Sequence, residues 1–114
     1  MRIICTLFLL ALVVGCSRNQ MTETELIGIG HSQKITLQAS PGQSATHITS
    51  IALRFHGHID GEATITGKNV TTQKLSGTFD LKTGGDWYSD TCELQYSPTN
   101  VHTGQVIIEY EFYD

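Results

Sequence analysis

The sequence predicts an all-β domain built as an antiparallel sandwich of about seven strands. Three observations predict this fold class. Apolar and polar residues alternate with a period of two in several segments, as they do in strands with one buried face. No segment sustains the apolar period of an amphipathic helix. The 11 glycines, together with many threonines and isoleucines, suit strands joined by tight turns.

The clearest alternation lies in residues 51–60, IALRFHGHID. Its apolar face carries four residues: Ile51, Leu53, Phe55 and Ile59. An Asp-Gly pair favours a tight hairpin turn, so we expect a reversal at Asp60–Gly61. The segment EATIT that follows is then the returning strand.

The same alternation predicts strands over residues 27–30, 34–39, 75–82, 88–96 and 106–113. The TGGD segment, Thr83–Asp86, predicts a further turn, and Asp90 interrupts the next inward row as a bulge would. Together the segments predict two packed sheets, immunoglobulin-like or similar. Their shared core is expected to contain Leu53, Phe55, Phe79, Leu94, Ile108 and Tyr110.

The aromatic residues of the last predicted strands fall on both faces of the alternation. Four fall on inward rows and are expected in the core: Tyr88, Tyr96, Tyr110 and Phe112. Trp87 and Tyr113 fall on the opposite rows, where they are candidate binding contacts on the surface. Packing at the core or at a sheet edge is the alternative for both.

The amino terminus carries a short apolar run. After Met1 and Arg2, residues 3–14 are almost entirely apolar, and the run ends at Gly15 and Cys16. This is the pattern of a secretory signal peptide. The run is shorter than the roughly 20 apolar residues that a membrane-spanning helix needs.

The VVGC segment, Val13 to Cys16, resembles the lipobox of bacterial lipoproteins. The resemblance implies cleavage before Cys16, diacylglycerol on its sulfur and a further acyl chain, such as palmitate, on its amino group. Two or three acyl chains hold a protein stably on a membrane. A plain signal peptide, with Cys16 incidental or paired with Cys92, is one alternative. An uncleaved anchor is another.

These patterns divide the chain into a signal peptide (1–15), a lipidated Cys16 with a polar tether (16–25), and the β-sandwich domain (26–114). Ser17 follows the cysteine where, in enteric-type sorting, an Asp retains a lipoprotein in the inner membrane. The resemblance therefore implies an outer-membrane location, or the cell membrane in an organism with a single membrane.

The charge and the cysteines limit the function classes. Without its signal peptide the chain has 99 residues, with six basic and 11 acidic side chains and a formal charge of −5. This charge argues against a nucleic-acid partner and against binding to anionic lipid by charge. Cys5 leaves with the signal and Cys16 carries the lipid, so Cys92 is expected to be buried and unpaired.

The HGH segment is the strongest candidate for chemistry. Because His56 and His58 share a strand face, they can supply two ligands to Zn²⁺ or Cu²⁺. The other histidines stand in unrelated segments, so we expect solvated surface histidines, no metal and no cofactor. The acidic residues around Asp86 are likewise interpreted as surface groups rather than Ca²⁺ ligands.

The favoured hypothesis is a non-enzymatic binding or structural module, held by its lipid and facing the periplasm or the cell surface. Its expected partner is another envelope protein. A small enzyme or metal-handling protein that uses His56 and His58 is one alternative. An inhibitor that captures a hydrolase attacking the envelope is another.

Overall fold

A computed structural model describes residues 21–114; the predicted signal peptide, Cys16 and the start of the tether lie outside the described residues. The described part of the chain contains strands and no helix, and thus no helix long and apolar enough to cross a membrane. The six strands are β1 (Thr22–Glu25), β2 (Gln33–Gln38), β3 (Ser50–Gly67), β4 (Val70–Asp86), β5 (Thr91–Thr99) and β6 (Gly104–Tyr113).

All strand pairs are antiparallel and belong to one sheet, with the order β1-β6-β3-β5-β2 and β4 on the other edge of β3. The first part of β3 pairs with β6, and its last part pairs with β5. The sheet curls into a half-barrel. The prediction of an antiparallel all-β domain is confirmed. The predicted division into two sheets is not, because β3 and β4 run through both halves of the curl.

The predicted hairpin at Asp60–Gly61 is wrong. Strand β3 continues through this pair, its register with β4 shifts there, and the chain reverses at the turn before Val70, where Asn69 has a φ of 63°. The Asp60 carboxylate accepts hydrogen bonds from the backbone N–H groups of His102 (2.8 Å) and Thr103 (3.2 Å). Asp60 thus attaches the bend in β3 to the loop between β5 and β6.

Three other segments differ from the sequence prediction. Strand β1 takes up residues assigned to the tether, so the folded domain begins earlier than predicted. Residues 27–30 form no strand. The TGGD segment continues β4 to Asp86, paired with the start of β3.

The core lies on one face of the curled sheet. It contains five of the six predicted members, Leu53, Phe55, Phe79, Leu94 and Ile108. The sixth, Tyr110, is half-buried and packs edge-to-face on Phe112 at a centroid distance of 6.1 Å. Cys92 is buried, as predicted, and its burial raises the pKa of the thiol to about 11.

Tyr96 fastens a loop onto this core. Its ring is fully buried, and its hydroxyl donates a hydrogen bond of 2.7 Å to the carbonyl oxygen of Ile29. A buried phenol needs such a partner because an unpaired hydroxyl is costly to bury. The bond holds the loop between β1 and β2 against the sheet.

Candidate functional site

An open groove of about 770 Å³ lies beside the β3–β4 turn and the β4–β5 loop. The curl of the sheet brings these two ends of β4 to the same groove. Its lining residues are Lys34, Thr66, Gly67, Lys68, Asn69, Asp86, Trp87, Tyr88, Ser89, Thr91, Glu93, Leu94 and Gln95.

Trp87 forms a fixed part of the groove wall. Its indole Nε1 donates a hydrogen bond of 2.9 Å to the carbonyl oxygen of Thr91, and its backbone N–H donates one of 3.0 Å to that of Thr49. The half-buried indole also packs against the core. The Ser89 hydroxyl accepts a hydrogen bond from the backbone N–H of Thr91. These contacts hold the loop and orient the indole before any ligand arrives.

Tyr88 is exposed beside Trp87, with 71% of its surface accessible. The prediction that Tyr88 points into the core is wrong. Strand β4 ends at Asp86 and β5 begins at Thr91, so the residues between them follow a loop rather than the alternation of a strand. The groove therefore has one anchored aromatic ring and one free aromatic ring next to each other.

Apart from Leu94, most of the other residues that line the groove are polar. Lys34, Gln95 and Thr66 lie in one row across β2, β5 and β3 and present ammonium, amide and hydroxyl groups. Asp86 and Glu93 add negative charge. Aromatic faces beside several hydrogen-bonding groups suit a ligand that has both apolar and polar surface.

Tyr113, the second aromatic residue that the sequence singles out, lies outside the residues that line the groove. It is 43% exposed, and its hydroxyl donates to the Glu111 carboxylate at 3.3 Å. The backbone of Thr49 connects Tyr113 with Trp87. Its N–H donates a hydrogen bond of 2.8 Å to the Tyr113 carbonyl oxygen, and its carbonyl oxygen accepts the one from the Trp87 N–H.

A second polar arrangement lies on the outer face of β1, β3, β4 and β6, away from the groove; we call it the polar cluster. It consists of Glu23, Arg54, His56, Asp80 and Glu109. The Arg54 guanidinium donates two hydrogen bonds of 2.8 Å to Asp80 and approaches Glu109 at 3.3 Å. His56 Nε2 lies 2.9 Å from a Glu109 carboxylate oxygen.

The polar cluster shifts the pKa values of its carboxyl groups. The hydrogen bonds from Arg54 lower the pKa of Asp80. Burial raises the pKa of Glu109, but hydrogen bonds from His56 and Arg54 outweigh that effect, so the net pKa lies below the usual value. Both carboxylates are therefore charged at neutral pH.

The structure brings His56 together with Glu23 and Glu109 rather than with His58. One donor atom from each of these three residues lies within 4.8 Å of the others, and His58 is not in this group. The two glutamates cannot be connected with His56 from the sequence alone, because they stand on β1 and β6, far along the chain from His56. Only the strand register places them together.

No protein-family model and no curated protein sequence matches this chain. The chemistry of the groove and of the polar cluster is therefore the basis for assigning a function.

Proposed function

We propose that this protein is a lipid-anchored envelope lipoprotein that binds another envelope protein, without catalysis, through the groove beside Trp87 and Tyr88. The observation that carries this proposal is the pairing of an anchored indole with an exposed phenol at the mouth of the groove. Rigid aromatic rings contribute much of the binding energy at protein interfaces and lose little conformational entropy on binding.

The polar lining supports a protein partner. Lys34 and Lys68 can pair with carboxylates, and Asp86 and Glu93 can pair with basic side chains. Thr66 and Gln95 can bond to main-chain groups. Mixed charges around aromatic anchors are typical of an interface rim.

The position of β1 supports anchoring through Cys16. The first described strand begins at Thr22, six residues after Cys16, so the chain from Cys16 to this strand spans at most about 20 Å, at about 3.3–3.6 Å per residue. Strand β1 lies at one end of the sheet order, whereas β5 and β2, which contribute to the groove, lie at the other. A domain held by β1 near the outer membrane therefore leaves the groove accessible.

Changing Cys16→Ser is expected to abolish acylation and to leave uncleaved precursor. The measurement is incorporation of radioactive palmitate into the full-length protein, followed by fractionation of the membranes. Cys5→Ser and Cys92→Ser are the matched controls and should retain the label. Unchanged label on the Cys16→Ser variant would refute the anchor.

Changing Tyr88→Ala is expected to weaken capture of the partner at least about thirtyfold, because a well-placed aromatic anchor contributes about 2 kcal/mol or more. The measurement is affinity capture with the full-length protein in detergent, followed by titration of the captured partner. Tyr113→Ala removes a similar ring outside the groove and should bind like the wild type. Loss of binding in Tyr113→Ala alone would show that the partner binds at the end of β6 and not in the groove. A captured hydrolase that loses activity on binding would identify the protein as an inhibitor.

A further inference from the structure

We propose that Glu23, His56 and Glu109 form a binding site for one divalent transition-metal ion such as Zn²⁺. The site is separate from the groove. It takes one imidazole nitrogen and two carboxylate oxygens from β3, β1 and β6.

The distances suit a single ion. His56 Nε2 and the nearer Glu109 oxygen are 2.9 Å apart, and the donor atoms of all three residues lie within 4.8 Å of one another. Ligand atoms of a tetrahedral Zn²⁺ ion, at about 2.0–2.2 Å from the metal, lie about 3.3–3.6 Å apart. Small side-chain rotations therefore complete the site without a change of the strands.

The strand register gives a second reason for a cation at this position. Glu23 and Glu109 stand directly opposite each other in the β1–β6 pair. Like charges in this arrangement oppose strand pairing. Within residues 21–114, Glu23 takes part in no ion pair that would offset this repulsion. An ion between the two carboxylates converts the repulsion into a bridge.

Arg54 offsets the repulsion between Glu23 and Glu109 only in part. Its guanidinium engages Asp80 through two hydrogen bonds of 2.8 Å, whereas its approaches to the Glu109 oxygens are 3.3 and 3.4 Å. The charge of Arg54 is thus balanced mainly by Asp80. The two glutamates carry two negative charges beside the imidazole, which matches a divalent ion.

The ligand types favour Zn²⁺ over Ca²⁺ or Mg²⁺. Imidazole nitrogen suits Zn²⁺, Cu²⁺ and Ni²⁺, whereas Ca²⁺ and Mg²⁺ take oxygen ligands. When the ion binds, it takes the place between His56 Nε2 and the Glu109 oxygen, and His56 ligates it through Nε2 as a neutral imidazole, with its proton on Nδ1. Three protein ligands leave a fourth position for water.

Such an ion has a structural consequence for the amino-terminal strand. Strand β1 has four residues and pairs only with β6 among the described strands. A bridge from β1 to β6 and β3 fixes the first described strand, which follows the proposed lipid anchor in the chain. The site therefore sets how firmly β1, which follows the tether, is held against the rest of the sheet.

The test is calorimetric titration of the full-length protein in detergent with Zn²⁺, after treatment with a chelator. We expect one ion per chain and no comparable heat with Mg²⁺. His56→Ala should lose binding, and Glu23→Gln, an exposed change that leaves the core intact, should weaken it at least about tenfold.

Two control variants change a histidine and a glutamate that lie on the same outer face as the ligands but outside the site. His58→Ala lies two residues along the same strand, and Glu25→Gln lies two residues from Glu23 on β1. Both should bind Zn²⁺ like the wild type. A shift of the His56 ring nitrogens in the nuclear magnetic resonance spectrum should accompany binding. Absence of stoichiometric binding, or equal binding by wild type and Glu23→Gln, would overturn the site.

Discussion

Replacing Gly57 with alanine is expected to prevent the domain from folding stably. A methyl group at this position would lie 2.0 Å from the carbonyl oxygen of Gln105, on the paired strand β6. The φ of Gly57 is 141°, a conformation that residues with a side chain rarely adopt. The clash involves backbone on both sides, so β6 must separate from β3. We expect a loss of more than about 4 kcal/mol in the free energy of unfolding.

The measurement is equilibrium unfolding in urea, followed by circular dichroism. Gly42→Ala is the matched control, because an added methyl group there meets no atom within 4 Å. Its unfolding midpoint should match that of the wild type. A Gly57→Ala variant that unfolds at the wild-type midpoint would show that β3 and β6 do not approach this closely.

Replacing Phe79 with alanine is expected to cost about 3–5 kcal/mol, the range for deletion of a buried aromatic ring. The ring is 7% exposed, and its cross-strand neighbour Gly57 has no side chain that could fill the cavity. A loss of this size is a large part of the stability of a small domain.

The same urea titration measures this effect. Thr78→Ala, on the exposed outer face of β4, should change the free energy of unfolding by no more than about 0.5 kcal/mol. A buried ring is expected to contribute about 3–5 kcal/mol to the free energy of unfolding. If Phe79→Ala lowers that free energy by less than about 1 kcal/mol, Phe79 is not part of the core.

The strands and the core could be predicted because their signal is local. In β3, alternating apolar residues such as Leu53 and Phe55 report directly which face is buried, whatever the strand pairs with. Strand β1 could not be predicted in this way. Its sequence, TETE, has no apolar face, and it is placed only by pairing with β6 at the far end of the chain.

The course of β3 depends on distant residues. An Asp-Gly pair favours a hairpin turn when only neighbouring residues are considered. The backbone amides of His102 and Thr103, more than 40 positions away, bond the Asp60 carboxylate instead and stabilise a bend. The same continuity of β3 and β4 produces one curled sheet where the sequence predicts two.

The candidate sites were predictable to different degrees. The alternation places Trp87 among the polar residues of the exposed face, which predicts a binding contact, and the structure places it in the groove wall. The alternation predicts the wrong face for Tyr88 because it does not locate the end of β4 at Asp86. Glu109 and Glu23 carry no local signal that connects them with His56; the connection exists only in the register of three strands.

The central proposal, binding through the Trp87–Tyr88 groove of a membrane-held domain, is tested most directly by site-specific photo-crosslinking in intact cells. The full-length protein carries an aromatic photoreactive amino acid in place of Tyr88, so that a ring is retained in the groove, or the same amino acid at position 78 on the outer face of β4 as a control. We predict one covalent adduct with an envelope protein from position 88, reduced by Trp87→Ala, and none from position 78. Equal adducts from both positions, or no adduct from position 88 while the protein remains in the membrane fraction, would contradict the proposal.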